Sequence, residues 1–208
     1  MRVLFIAHGA CEESLPAPKD FDRVIAVDGG GNYAHRAGIL PHVVIGDEDS
    51  LQPDLQQQWR KQGISFFLFP TDKDQTDLEI ALLWAQERGM TEGVVYGALG
   101  NRLDQSMANM ALLADARFVD LSLIFIQGNT RVQCLRSQMT LAGHVDNILS
   151  LLAIDPVSPP LITLKGFQYS LEKAPLLSPT HGISNRIIQS PAHIFVHKGA
   201  VFVFHTEQ

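Results

Sequence analysis

The chain has 208 residues, 46% of them hydrophobic and 18% charged, enough to bury one large core or two modest ones in water. Its net charge is −6, with 10 Lys and Arg against 18 Asp and Glu in residues 1–130 and 6 against 4 in 131–208, so no basic face argues for nucleic acid. No apolar run approaches the ~20 residues of a membrane span, and Cys11 and Cys134 lack metal-ligand spacing, so a cytoplasmic protein with reduced thiols is expected.

Residues 3–7 read as a short buried strand, too short to be a secretory leader, ending at His8-Gly9. A loop through Pro16 and Pro18 leads to a second apolar strand over 24–27, closed by Asp28-Gly29-Gly30-Gly31. Glycines there let a backbone approach a ligand, and a helix over 32–38 would offer its N-terminus to an anion. A tight strand-to-helix turn explains the same glycines equally well. A third strand over 43–45 ends in Gly46-Asp47-Glu48-Asp49-Ser50, and a helix over 51–62 precedes a fourth strand over 64–69.

The stretch Pro70-Thr71-Asp72-Lys73-Asp74-Gln75-Thr76-Asp77 comes next. Beyond it Leu78, Ala81, Leu82 and Ala85 keep the helical repeat of a buried face. Asp74 or Thr76 can cap that helix, and Asp77 and Glu79 suit its positive end. Capping accounts for one or two of these acids; the excess invites a cation. A fifth strand over 94–96 ends in Gly97-Ala98-Leu99-Gly100-Asn101-Arg102-Leu103-Asp104, followed by a helix to about 116 and a sixth strand over 121–126. Apolar strands alternating with helices predict an α/β domain, a Rossmann-like parallel sheet covered on both faces. Ligands of such sheets lie beyond the carboxyl ends of the strands. Asp28, Asp47, Asp49, Asp74, Asp77 and Asp104 all fall at that edge.

After Gly128-Asn129 the helical repeat stops. Short apolar runs over 132–135, 148–154, 161–164, 194–196 and 201–204 alternate with prolines, which predicts an all-β sandwich or barrel. The boundary is placed near 130, giving an α/β domain over 1–129 and a β domain over 130–208.

Asp47 and Asp49 flank Glu48 in a turn and can point the same way. With Asp74 or Asp77 they offer the hard oxygen ligands that Mg²⁺ prefers. Lys73 and Arg102 supply positive charge for phosphate oxygens, although solvated surface charge would look the same. His193 and His197 stand four apart in strand-like sequence, where the helical zinc spacing does not apply. Ser178 and Ser184 lie near His181 without a nucleophile-elbow pattern, and Trp59 and Trp84 read as packing residues.

Five strings occur in order: Asp28-Gly-Gly-Gly-Asn32, Gly46-Asp-Glu-Asp-Ser50, Lys73-Asp-Gln-Thr-Asp77, Gly97-Ala-Leu-Gly-Asn-Arg-Leu-Asp104 and Gly182-Ile-Ser-Asn185. Together they resemble the thiamine pyrophosphokinase (thiamine diphosphokinase) family over essentially the whole chain. The resemblance implies an α/β catalytic domain binding ATP and Mg²⁺, a C-terminal β-sandwich that helps bind thiamine, and a homodimer with active sites at the interface. It implies transfer of the pyrophosphoryl group of ATP to the hydroxyl of thiamine, giving thiamine diphosphate and AMP. Asp47, Asp49 and Asp74 match the magnesium-binding acids of the family. Asp77, Arg102 and Asp104, with Thr76, match its active-site framework; Asp28, Gly29, Gly30 and Lys73 are expected on the nucleotide side. Asp74 or Asp77 would accept the hydroxyl proton. Ser184 and Asn185 match the Ser-Asn pair at the thiamine end, where Phe202 or Phe204 would stack on the pyrimidine. Gln105, expected to touch substrate, stands where the family usually has His. Arg186 replaces a frequent Glu, and His8-Gly9 a frequent Asn-Gly. A diphosphotransferase acting on another alcohol such as a hydroxymethylpterin, a non-catalytic thiamine or nucleotide sensor, and a metal-dependent phosphohydrolase are the alternatives.

Overall fold

The computed structural model describes residues 1–9, 14–47, 51–70, 72, 74–100, 102–155 and 157–208. Two compact units result, Met1–Gly128 and Asn129–Gln208. No described helix is long and apolar enough to cross a membrane.

In the first unit, strands β1 (Arg2–Ile6), β2 (Arg23–Val27), β3 (Val43–Gly46), β4 (Ser65–Leu68), β5 (Glu92–Tyr96) and β6 (Leu123–Gln127) stand in the order β6-β5-β1-β2-β3-β4. Every neighbouring pair among them is parallel. Among the described residues four α-helices accompany them: α1 (Gly30–Arg36), α2 (Pro53–Lys61), α3 (Asp77–Glu87) and α4 (Leu103–Ala114). Strand side chains alternate faces. Leu4, Ile6, Val24, Ala26 and Val44 pack with Ala34 of α1 and with Leu55 and Trp59 of α2. The opposite set, Val3, Phe5, Ile25, Val27, Val43 and Ile45, is buried too, on the face where α3 packs on β2 and β3. Burial on both faces is why these strands read as unbroken apolar runs. The edge strand β4 is more exposed, and the guanidinium of Arg60 lies 4.4 Å from the Phe66 ring as partial cover.

Two local details set up the site. The helix expected from residue 32 starts at Gly30, whose backbone lies so close to β1 that a Cβ there would stand 1.9 Å from the Ile6 carbonyl oxygen. Thr76 caps α3: its Oγ1 accepts from the Glu79 N–H at 3.2 Å, leaving Asp77 as the first helical residue.

The second unit contains β7 (Thr130–Leu135), β8 (Gln138–Leu141), β9 (Ile148–Ala153), β10 (Leu161–Lys165), β11 (Leu171–Pro175), β12 (Gly182–Arg186), β13 (Ala192–Lys198) and β14 (Val201–Thr206). They pair antiparallel in two sets, β12-β9-β14-β7 and β11-β10-β13-β8. Leu149, Leu151, Val201 and Val203 from one sheet share a core with Ile162, Leu164, Ile194 and Val196 from the other. β8, β11 and β12 escaped the pattern reading for a local reason. In β8 only Leu141 is buried, in β12 only Gly182 and Asn185, and in β11 no residue is, so apolar alternation is missing.

A buried polar group near the chain end gives this unit an acid sensitivity. His205 Nε2 lies 3.0 Å from Asn147 Nδ2, and the His144 and His205 rings meet edge to face at 4.7 Å. The Gln208 N–H donates to Asn147 Oδ1 at 3.4 Å, which turns the amide nitrogen toward the imidazoles. This orientation lets His205 Nε2 accept from the amide, as a neutral imidazole can. Burial, then the charge of His144, hold His205 below its ordinary 6.5, and Arg131 acts the same way against Glu207. A base with a lowered folded pKa takes its proton more readily when unfolded. Its contribution is therefore complete above about pH 6.5 and lost as pH falls through the lower folded value. His42 of the first unit, lowered by burial and Arg23, works in the same direction. The urea midpoint is expected to fall between about pH 7 and pH 5, and to fall less in His205→Gln. An identical pH dependence in that variant would remove His205 as a cause.

Candidate functional site

The strand order reverses between β1 and β5, where successive connections leave in opposite directions along the sheet. At such a switch point the carboxyl ends part and leave a crevice. A cavity of about 310 Å³ lies there, walled by the residues following β1 and β5, by Asp28 and Tyr33, and by the first turns of α3 and α4. Its floor is fixed by backbone: Gly9 N–H donates to the Gly97 carbonyl at 2.8 Å, an approach that excludes a side chain, since a Cβ on Gly9 would stand 2.4 Å from that oxygen.

Three acids converge beside the cavity. One carboxylate oxygen from each of Asp28, Asp47 and Asp77 lies within 4.8 Å of the other two, and all three residues are half-buried. Asp28 and Asp47 come together because β2 and β3 are neighbours: the Asp28 N–H donates to the Ile45 carbonyl at 2.8 Å. Asp77 arrives from above, carried by the start of α3. Asp28 has φ 52°, a left-handed backbone that costs a residue bearing a Cβ about 1 kcal/mol. Two full negative charges at this range repel by about 1 kcal/mol even in water, and more where water is scarce. Opposite ligands of Mg²⁺ stand about 4.2 Å apart and those of Ca²⁺ about 5 Å. Three hard oxygens on this scale fit a divalent cation.

Among the described residues Asp74 is exposed and stands outside this group, and Asp104 is engaged elsewhere. Asp49 and Lys73 lie outside the described residues. Arg102 donates through Nε to Asp104 Oδ1 at 3.1 Å and through an Nη to Oδ2 at 2.6 Å, a two-point pair at the cavity mouth. This contact holds the Asp104 carboxyl down at about 2, with the Gln105 N–H as the next contributor, and raises Arg102 in turn. Thr76 and Gln105 line the cavity. Gly29 and Gly30 are accounted for by packing, because the space of a Cβ is taken by the His8 ring at one and the Ile6 carbonyl at the other.

A model of the thiamin pyrophosphokinase catalytic domain matches residues 18–125, which hold the cavity walls from β2 through α4 and all three converging acids. The chain belongs to the thiamin pyrophosphokinase family. Thiamine pyrophosphokinase of Bacillus subtilis (strain 168) is 28% identical over 186 residues, covering 86% of this chain and 85% of that protein. The crystal structure of a thiamine pyrophosphokinase from Bacillus subtilis is similar with TM-score 0.84 and 25% identity, covering 100% of both chains. That of a thiamin pyrophosphokinase family protein from Enterococcus faecalis has the same fold, with TM-score 0.86, 22% identity and 100% of both chains covered.

The residues matched to the thiamine end of the family all lie in the second unit. Asn185 is 5% exposed, and its side chain is spent on backbone: Oδ1 accepts from the Tyr169 and Arg186 N–H groups, while Nδ2 donates to the Tyr169 carbonyl. Ser184 is exposed at φ 56°, its N–H donating to Ser150 Oγ at 3.0 Å. Phe202 is half-buried on β14, on the face opposite the core residues Val201 and Val203. His193 and His197 bond separately to Thr140 and Thr163, so they form no pair.

Ser106 and Asn109 were not singled out from the sequence, yet both face the cavity. Asn109 Nδ2 donates to the Ala98 carbonyl at 2.6 Å, and Ser106 Oγ accepts from the Gly100 N–H at 3.0 Å. They stand three apart on α4, one helical face, and pin the loop leading to Arg102. Two small polar residues at that spacing in a helix otherwise rich in Ala, Leu and Met were the available signal.

Proposed function

We propose that the protein transfers the intact pyrophosphoryl group of ATP to the hydroxyl of thiamine, in the Rossmann-like cavity of the first unit. The convergence of Asp28, Asp47 and Asp77 beside that cavity carries the reading, in a chain of this family. A divalent cation such as Mg²⁺, when bound by these acids, supplies positive charge to polyphosphate oxygens and eases the approach of an alcohol.

The chain's own residues do the rest. Arg102, aligned by Asp104, presents a fixed cation to phosphate at the cavity mouth. The alcohol oxygen forms a bond to the β-phosphorus, the bond between that phosphorus and the oxygen bridging to the α-phosphate breaks, and AMP leaves. The hydroxyl proton passes to Asp74 or Asp77; a loose transition state asks little of this base. The thiazolium of thiamine is a permanent cation, which suits the acid excess of the first unit. The second unit, read as a β-sandwich domain beginning near residue 130, contributes Ser184 and Phe202 to thiamine, while Asn185 fixes the backbone beside Ser184 through its bonds to Tyr169 and Arg186. The protein works as a cytoplasmic homodimer with its active sites at the interface, as in the family the sequence resembles.

Incubation with ATP, Mg²⁺ and thiamine, with products resolved by mass, is expected to yield thiamine diphosphate and AMP in equal amounts. Thiamine monophosphate with ADP would contradict the transfer of an intact pyrophosphoryl group. ATP cleavage independent of thiamine would mark a phosphohydrolase, and a diphosphorylated hydroxymethylpterin in a competition would mark the other acceptor.

A further inference from the structure

His8, the second residue beyond β1, reaches Asp28 at the end of β2: its Nδ1 lies 3.1 Å from Asp28 Oδ2. An ionised carboxylate can only accept, so Nδ1 carries the proton whether the imidazole is neutral or charged. The ring is seated from two further directions. It lies over Gly29, where a Cβ would stand 2.4 Å from its atoms, and its edge meets the Tyr33 ring at 6.2 Å. Tyr33 is itself covered by the Arg36 guanidinium at 4.5 Å. Backbone conformation sets where the Asp28 carboxylate sits but leaves it free to rotate. The contact from His8 removes that freedom by fixing one oxygen.

We propose that His8 is a positioning residue, which orients the Asp28 carboxylate toward the group it forms with Asp47 and Asp77. The inference rests on the reading that these three acids hold a divalent cation. Outer hydrogen bonds of this kind set ligand direction, and their loss typically weakens metal binding about tenfold or more. A side chain of His8 that is 58% exposed has no core to support, so a merely structural role predicts no such change.

Mn²⁺ alone is the probe, with bound ion read from loss of the free-ion electron paramagnetic resonance signal. His8→Phe keeps a ring over Gly29 and beside Tyr33 but has no donor. It is expected to bind Mn²⁺ about tenfold more weakly than the unaltered protein at an unchanged unfolding midpoint. His8→Asn places an amide N–H close to the position of Nδ1 and is expected to restore most of the affinity. His8→Leu gives the same readout as His8→Phe should the larger ring disturb the loop. Unchanged Mn²⁺ affinity in His8→Phe and His8→Leu would overturn the role, as would equal weakness in His8→Phe and His8→Asn. Absence of Mn²⁺ binding by the unaltered protein would instead overturn the cation reading, and this inference with it.

Discussion

Asp77→Asn is expected to lower turnover by about a thousandfold while leaving the protein folded. The substitution keeps the size of the side chain and removes one of three charges that converge within 4.8 Å. Thr76, which caps α3, is untouched, so the helix start survives. Relief of like-charge repulsion offsets the lost attraction between Asp77 and the helix dipole, so the urea midpoint should hardly move. A cation gripped by two carboxylates and an amide binds less well and shields phosphate less, which is where the loss arises. Asp74→Asn is expected to cost much less, because Asp74 is exposed and outside the group. Comparison of kcat for the two variants at saturating ATP and thiamine checks this. Near-normal turnover in Asp77→Asn would move the cation site elsewhere, whereas a larger loss in Asp74→Asn would mark Asp74 as the group that takes the hydroxyl proton.

Arg102→Ala is expected to lower turnover by about a hundredfold. Two effects add. The cation facing phosphate is gone, and Asp104, freed from its two-point partner, becomes an uncompensated negative charge at the cavity mouth. Removal of that charge as well should help, so Arg102→Ala/Asp104→Ala is expected to be more active than Arg102→Ala alone. This coupling separates an electrostatic role from simple loss of a contact. With Asp104 held at about 2, the pair stays ionised throughout the neutral range and loses its charge only in strong acid. Its breakage therefore adds no inflection to the pH profile of turnover between about pH 5 and 9. A double variant no better than Arg102→Ala would show that Asp104 does not repel the nucleotide.

The parallel sheet was legible because strands covered on both faces need apolar side chains at every position, and Val24-Ile25-Ala26-Val27 and Val43-Val44-Ile45 advertise this directly. The edge that gathers acids was legible for a related reason: the apolar runs over 24–27, 43–45 and 94–96 stop at Asp28, Gly46 and Gly97. Which acids meet was harder to read. Asp28 and Asp47 meet because β2 and β3 are neighbours, and Asp77 meets them because α3 packs on both strands. Those adjacencies are tertiary, and the spacing that puts Asp74 three residues from Asp77 carries no trace of them. Asn185 shows the same gap. Its carboxamide bonds to the backbone of Tyr169, 16 residues away, a contact between chain segments that no local motif encodes. His205 was hidden for the opposite reason, since a histidine in a strand looks alike whether it faces water or the half-buried Asn147.

Anomalous diffraction from crystals grown with Mn²⁺ and a non-hydrolysable ATP analogue tests the shared cation most directly. A peak about 2.2 Å from oxygens of Asp28, Asp47 and Asp77, with analogue phosphate oxygens on its open side, is expected. A metal held away from these three acids, with phosphate bound where no carboxylate reaches it, would contradict the shared cation.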